Sequence, residues 1–392
     1  MITFAQAYDL MLGSAPALGS ENVLLNESAH RILAQDVVAD LNMPPFDKAA
    51  MDGYACRRAD LGNPLKVIET IPAGRMPSKK IEPGQCSEIM TGAPVPSGAD
   101  CVIMQEYTES VSGGMIRFTG HATENNIRPE AEDLKKGDTV LRRGERIGPA
   151  QMAMLASFGV THPLVARRPR VAVAATGSEL VSPEQPPGGA MIRDSNSLQL
   201  CAQVRNAGAI ADALGIIPDS EALLAATIRQ MMEGHDLVLL SGGVSTGAFD
   251  FVPTALKQCR FDLVFGSVAM QPGKPMVFAR TPNDVFCCGL PGNPVSTYVV
   301  FELMLKPFLL KMMGHMYKPI LVKAHMGEAF ARRKTDRQVS LPVRFLAPDT
   351  VVPVTYHGSA HIHAMCAAEA LLVIPVGVSA IAEGEVVDVR LL

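Results

Sequence analysis

Glu179, Asp219 and Asp250 each stand just beyond a short apolar run, at residues 171–175, 211–217 and 237–240. Runs of this length and character read as strands buried on both faces. The third run stops at Ser241-Gly242-Gly243, where backbone N–H groups are uncovered and no Cβ keeps a ligand away. Ser245, Thr246 and Gly247 extend that loop, and Asp250 precedes a helical stretch from Pro253 onward. Strand, glycine-rich loop and helix in succession form an anion site at the carboxyl ends of open α/β sheets. A carboxylate beside such a loop repels phosphate unless a divalent cation lies between them, so Asp250 points to a phosphate bridged by Mg²⁺. On its own the loop is equally well a plain strand-to-helix turn with a capping Asp. The three carboxylates at successive strand exits favour a metal-assisted phosphate site.

Other loops carry polar groups at spacings that chemistry can use. Lys274 sits on the proline-braced turn Gln271-Pro272-Gly273-Lys274-Pro275, and Pro291-Gly292-Asn293 leads into a helix with Ser296 in its first turn. Taken singly, Lys274 is a solvated surface lysine. Near the start, Pro44-Pro45 and the Asp52-Gly53 turn signal break regular structure among Asp47, Lys48 and Asp52, which reads first as a domain junction. Thr91-Gly92 follows a strand-like run, and Arg128, Glu132 and Asp133 occupy a third polar loop.

The elements that must position these groups fall into four parts. Thr3 is placed to cap a helix burying Phe4, Ala7, Tyr8 and Met11. Strand-like pieces follow at 23–25 and 32–38, and Gly148-Pro149 opens a helix that Gly159 stops. Residues 1–45 and 145–170 therefore read as a discontinuous helical and mixed linker domain. Residues 46–144 hold short β runs at 66–71, 85–90, 101–105 and 115–118, a Pro/Gly-rich β domain. Residues 171–316 alternate strands and helices, which predicts a three-layer α/β domain with a mostly parallel sheet. Within it Ser195 is expected to cap a helix burying Leu198, Cys201 and Val204, and one long helix is expected over 295–313. Residues 317–392 alternate apolar and polar in short runs, a separate barrel-like β domain.

Composition narrows the function. At 392 residues the chain is long enough for roughly two to four domains. A net charge of −4 gives no basic footprint for nucleic acid. No apolar run reaches the ~18 residues of a membrane span, and the first residues lack the basic and apolar segments of a signal peptide, so a soluble cytoplasmic protein is expected. The 8 cysteines form no Cys-x-x-Cys pair, and adjacent Cys287 and Cys288 on a strand must face opposite ways, which suits reduced core residues. His361 and His363 share one face if that stretch is a strand, but a zinc site would want further ligands.

Ordered along the chain, these motifs resemble the molybdopterin molybdenumtransferases, the MoeA/gephyrin E-domain family of molybdenum cofactor biosynthesis. The resemblance rests on Pro45-Phe-Asp-Lys-Ala-Ala-Met-Asp-Gly-Tyr-Ala55, Met90-Thr-Gly-Ala-Pro94, Asn126-Ile-Arg128 with Glu132-Asp133, Thr176-Gly-Ser-Glu179 and Asp194-Ser-Asn-Ser197. It continues through Ser241-Gly-Gly-Val-Ser-Thr-Gly247 with Asp250, Pro272-Gly-Lys-Pro275 and Gly289-Leu-Pro-Gly-Asn-Pro-Val-Ser296. It implies a four-domain chain whose α/β domain binds molybdopterin, and a homodimer whose cleft lies between that domain and the β domain of the other subunit. The implied reaction consumes adenylylated molybdopterin and molybdate with Mg²⁺ present, releases AMP and leaves molybdenum on the dithiolene. By resemblance the catalytic set is Asp52, Glu179, Asp219, Asp250 and Lys274, with Glu179, Asp219 and Asp250 as Mg²⁺ ligands. Substrate binding falls to Thr91, Arg128, Thr176, Gly177, Ser195, Asn196, Ser241, Gly242, Gly243, Ser245, Pro275, Pro291, Gly292 and Asn293. Molybdate falls to Lys274, Ser296, Arg337 and Ser359. Implied partners are a molybdopterin adenylyltransferase and the maturation proteins of recipient molybdoenzymes.

The chain departs from the family pattern at several positions. Ser267 replaces a usual Lys or Arg, Gln271 a frequent Lys and Ala131 a usual Gly, Val339-Ser340 stands for an acidic-Phe pair, and Pro342 stands where some members have Arg. Fewer cations at an oxyanion site leave two alternatives open: a paralogue that takes tungstate or serves one apoenzyme, and a non-catalytic molybdopterin-binding scaffold.

Overall fold

The computed structural model describes residues 1–244, 251–356 and 358–392. Helix α1 (Phe4–Ser14) opens with a reciprocal cap: Gln6 N–H donates to Thr3 Oγ1 and Thr3 N–H to Gln6 Oε1. Its buried residues, Ala7 and Met11, pack into the α/β core rather than onto residues 145–170. The rest of the first segment does meet that stretch: Leu33 and Val37 share a core with Ile147, Leu155 and Val165. The strand-like run at 23–25 is corrected to a strand at Ser20–Asn22 and a 3₁₀ turn at Leu25–Glu27.

The β domain is a six-stranded sheet of β1 (Gly53–Cys56), β2 (Leu65–Ile71), β3 (Gln85–Ile89), β4 (Cys101–Met104), β5 (Thr108–Val111) and β6 (Met115–Phe118), in the order β4-β1-β3-β2-β6-β5. The turn expected at Asp52-Gly53 is in fact the entry to β1, between β3 and β4. Gly53 is required there because a Cβ would stand 1.9 Å from the Ile103 carbonyl oxygen. Asp52 is thereby held at the edge of a packed sheet. Helix α2 (Pro149–Ser157) has Pro at its first position, and Gly159, with φ 68°, follows its end.

The α/β domain contains β7 (Arg170–Thr176), α3 (Asn196–Asn206), β8 (Ile210–Ile217), α4 (Glu221–Met232), β9 (Leu237–Ser241), α5 (Val252–Gln258), β10 (Asp262–Phe265), β11 (Val277–Arg280) and β12 (Phe286–Leu290). Its strand order is β8-β7-β9-β12-β11-β10, parallel from β8 to β12 and antiparallel through β11 and β10. Alternation sorts its residues onto two cores. Val171, Val173, Leu237, Leu239 and Cys288 face one, and Ala172, Ala174, Val238, Leu240 and Cys287 face the other. Both cysteines are buried free thiols.

The single helix expected over 295–313 is three segments: α6 (Pro294–Val300), a π segment (Phe301–Leu305) and α7 (Lys306–Met312). Pro307 has no N–H to give the preceding turn, and the widened π turn accommodates that loss. The Glu302 carbonyl accepts Arg390 Nη2–H at 2.6 Å, while its carboxylate takes Gln203 Nε2–H at 3.0 Å and Lys306 Nζ–H at 2.8 Å. A buried acid is thus fully partnered, and the same residue ties the C-terminal domain to the helix.

That C-terminal domain closes on itself. Strands β13 (Leu321–Met326), β14 (Gln338–Ala347), β15 (Thr350–Pro353), β16 (Ala370–Ile374) and β17 (Val386–Leu391) pair in the circuit β14-β15-β13-β17-β16-β14, a five-stranded barrel. His361 and His363 do not lie on a strand: His363 opens a short helix, His363–Ala367. No group of three or more metal-binding side chains occurs among the described residues. No helix among them is long and apolar enough to cross a membrane.

Candidate active site

Because β7, β8, β9 and β12 run parallel, their exits share one edge of the sheet, and a cavity of about 630 Å³ opens there. Thr176, Gly177 and Glu179 come from the end of β7, and Asp219 comes from β8. Ser241, Gly242 and Gly243 come from β9, and Pro291, Gly292 and Asn293 from β12. Ser195 and Asn196 at the start of α3 and Pro275 before β11 complete the predicted residues that line it. The structure also places Leu180, Ile192, Arg193, Asp194, Val244, Pro294 and Ala360 on its wall, none of which the sequence reading singled out as site residues. Ser245 and Asp250 lie outside the described residues.

Hydrogen bonds fix this edge. Asn196 Nδ2 donates to Ser241 Oγ and to the Gly292 carbonyl, both at 2.7 Å, which joins α3 to the β9 and β12 loops. Its Oδ1 is buried and accepts nothing among the described residues. A buried amide oxygen with no donor costs about 1–3 kcal/mol, so a ligand N–H there relieves a standing penalty. The α3 cap differs from expectation: Asp194 Oδ1 accepts Ser197 N–H at 3.1 Å, and the Ser195 side chain makes no capping bond. Leu198, expected in the core, is exposed, and Leu200 is buried with Cys201 and Val204.

Asp219 and Ser178 bond reciprocally. Ser178 N–H donates to Asp219 Oδ2 at 2.9 Å, and Asp219 N–H to Ser178 Oγ at 3.0 Å. The β7 and β8 exits are thereby locked together, and Asp219 Oδ1 has no hydrogen-bond partner among the described residues. The Glu179 carboxylate folds back over Gly177, where a Cβ would meet its oxygens at 2.6 and 2.8 Å, and it forms no ion pair among the described residues. Two hard oxygen donors on adjacent strand exits, beside the glycine loop of β9, fit a divalent cation holding a phosphate.

The barrel reaches the same edge. Asn293 Nδ2 donates to Ser359 Oγ at 2.8 Å, and Val295 N–H donates to the Ser359 carbonyl at 3.0 Å. The short strand Met270–Gln271 pairs with Gln338–Val339 of β14, so the turn bearing Lys274 and the loop bearing Arg337 start from one paired seam. Lys274 is exposed and makes no ion pair among the described residues, while the Arg337 guanidinium lies 3.7 Å from Asp336 and its carbonyl accepts Arg332 Nη1–H at 2.7 Å. Neither lines the cavity, nor does Ser296, which is buried in the first turn of α6.

Asp52, Thr91 and Arg128 belong to the β domain and do not line this cavity within one chain. Asp52 Oδ1 accepts Thr91 N–H at 2.6 Å and Thr91 Oγ–H at 2.7 Å, and these bonds hold its carboxyl below the usual carboxylate range. Arg128 faces Glu132 at 3.4 Å. Because the Asp52 pKa is depressed in the folded state, its contribution to stability is present above the ordinary carboxylate pKa. It is lost as pH falls through the lowered value. Thr91→Val is expected to move the Asp52 carboxyl titration upward, read by carbon NMR of labelled aspartate. An unchanged titration would show that Thr91 does not set it.

Residues 2–159 match the MoeA N-terminal region (domain I and II), residues 172–311 a probable molybdopterin binding domain, and residues 323–392 the MoeA C-terminal region (domain IV). The molybdopterin molybdenumtransferase of Bacillus subtilis (strain 168) is 38% identical over 301 residues, covering 74% of this chain and 70% of that protein. That of Staphylococcus epidermidis (strain ATCC 12228) is 36% identical over 381 residues, covering 94% and 90%. The chain belongs to the molybdopterin molybdenumtransferase family. It is accordingly a transferase of molybdenum cofactor biosynthesis. The solved molybdopterin biosynthesis MoeA protein of Pyrococcus horikoshii OT3 is 29% identical with a TM-score of 0.87, covering 100% of both chains. The family fold thus spans this whole chain, barrel included.

Proposed function

We propose that this chain inserts molybdenum into molybdopterin, using adenylylated molybdopterin and molybdate and releasing AMP. The observation that carries this reading is the pairing of Asp219 and Glu179 with the Gly242-Gly243 loop in one cavity, next to the seam that bears Lys274 and Arg337. The pterin amide edge is offered the unpaired Asn196 Oδ1. The Gly242 and Gly292 loops orient the phosphates through backbone N–H groups. Asp219 and Glu179 would hold Mg²⁺, which supplies charge neutralisation at the phosphoanhydride. Lys274, Arg337 and Ser359 provide the cationic and hydroxyl donors that a tetrahedral dianion needs. Asp52, Thr91 and Arg128 act from the β domain of a second copy, which makes the working unit a homodimer, with the cytoplasm as its place and an adenylyltransferase as its supplier.

The test is AMP release from adenylylated molybdopterin by the purified full chain with Mg²⁺. Release that rises with molybdate supports insertion. Tight nucleotide binding without molybdate-dependent release would instead favour a molybdopterin-binding scaffold.

A further inference from the structure

Among the described residues lining the cavity there are three carboxylates, Glu179, Asp194 and Asp219, and a single cation, Arg193. We infer that Arg193 is a substrate-contacting residue: its guanidinium binds the phosphoanhydride of the nucleotide-bearing substrate from the wall that the Ile192–Arg193 strand forms beside the β7 exit. This inference rests on the reading of the cavity as a nucleotide site.

The side chain is positioned rather than loose. Arg193 ends the two-residue strand Ile192–Arg193, which pairs in parallel with Leu180–Val181 just after β7. Ile192 N–H donates to the Glu179 carbonyl at 2.8 Å and Asp194 N–H to the Val181 carbonyl at 2.9 Å, so both backbone neighbours of Arg193 are tied to the β7 exit. Arg193 Nε donates to the Gln185 carbonyl at 3.1 Å, which orients the guanidinium plane. Its two Nη groups have no partner among the described residues.

Other arginines of this domain are spent on structure. Arg167 pairs with Asp236 through two bonds, and Arg170 pairs with Asp212. Arg193 makes no ion pair among the described residues, although Asp194 is adjacent in sequence and Glu179 lies on the loop leading into the paired strand. Asp194 is turned inward to Ser197 N–H. The free fork of a guanidinium matches two phosphate oxygens, which a lysine, as a point charge, does not. An otherwise acidic cavity that receives a phosphoanhydride needs positive charge from its own wall besides a cation held by Glu179 and Asp219, and Arg193 supplies it.

The experiment uses the full chain with Arg193→Gln and Arg193→Lys. The KM for adenylylated molybdopterin is expected to rise about tenfold or more in Arg193→Gln, with kcat within about twofold. The salt dependence of KM should flatten, since one phosphate contact is gone. Arg193→Lys should restore part of the loss, and thermal stability and the molybdate concentration for half-maximal rate should match the wild type. A KM and salt dependence equal to the wild type would overturn the assignment. So would parallel losses in thermal stability and in both substrates, which would mark a structural arginine. Calorimetric titration with ADP and Mg²⁺ separates this from failure of the insertase reading. If the wild type binds ADP but releases no AMP, weaker ADP binding by Arg193→Gln still supports the contact, and equal binding refutes it. If the wild type does not bind ADP, the inference falls with the nucleotide site.

Discussion

Replacing Asp219 with Asn is expected to lower AMP release by about 10²–10³-fold in a protein that remains folded, the scale seen when one preorganised charge-stabilising group is removed from a phosphoryl or acyl site. The fold should survive because the Asn carbonyl can still accept Ser178 N–H, and the backbone bond from residue 219 to Ser178 Oγ is untouched. What disappears is the negative charge of a carboxylate that lines the cavity. Stopped-flow or quenched AMP release, together with a thermal melt, checks both halves. A variant that melts like the wild type and turns over at its full rate would remove Asp219 from the site. A large fall in melting temperature would make it a structural lock between β7 and β8.

Gly242→Ala is expected to have the largest combined effect on stability and binding. Gly242 has φ +101°, and a Cβ there would stand 2.4 Å from the Thr176 carbonyl oxygen and 2.8 Å from Thr176 Oγ1. Both obstacles belong to the β7 exit, whose position is set by buried neighbours on either side. Relief therefore means moving a strand end or the loop itself. A cost of about 2–4 kcal/mol is expected from strain and overpacking together. Because Gly242 N–H donates to the Leu290 carbonyl at 3.0 Å, the displacement reaches the β12 loop that carries Gly292. Denaturant unfolding and a nucleotide titration measure the two losses. Wild-type values in both would show that the loop is more plastic than its contacts indicate.

Much of the α/β domain is legible in the sequence because its signals are local. Continuous apolar runs mark β7 and β9, and alternation alone places Cys287 and Cys288 on opposite cores. Glycines at strand exits point to the cavity because backbone approach demands them. Elsewhere the deciding contacts are distant in sequence. No local feature tells that Met270–Gln271 pairs with β14 and brings the Lys274 turn to the seam bearing Arg337, or that Ser359 docks on Asn293. Gly53 reads as a turn because Asp-Gly usually is one, but the space between β3 and β4 makes it a strand residue. Arg193 is hidden for a related reason. It follows a loop rich in Pro and Gly, where an arginine is ordinarily solvated, and only the pairing with Leu180–Val181 turns it to the cavity. His361 and His363 mislead in the opposite way, since an alternation of two residues is too short to distinguish a strand from the helix that forms.

In the proposed function one cavity couples loss of the adenylyl group to placement of molybdenum. The most direct measurement is a single turnover of adenylylated molybdopterin with molybdate and Mg²⁺, in which AMP released and molybdenum retained on the dithiolene are quantified in the same sample. Equal amounts of the two are expected from the wild type, with both lost together in Asp219→Asn. AMP released at the same rate without molybdate, or with no molybdenum retained, would contradict the account.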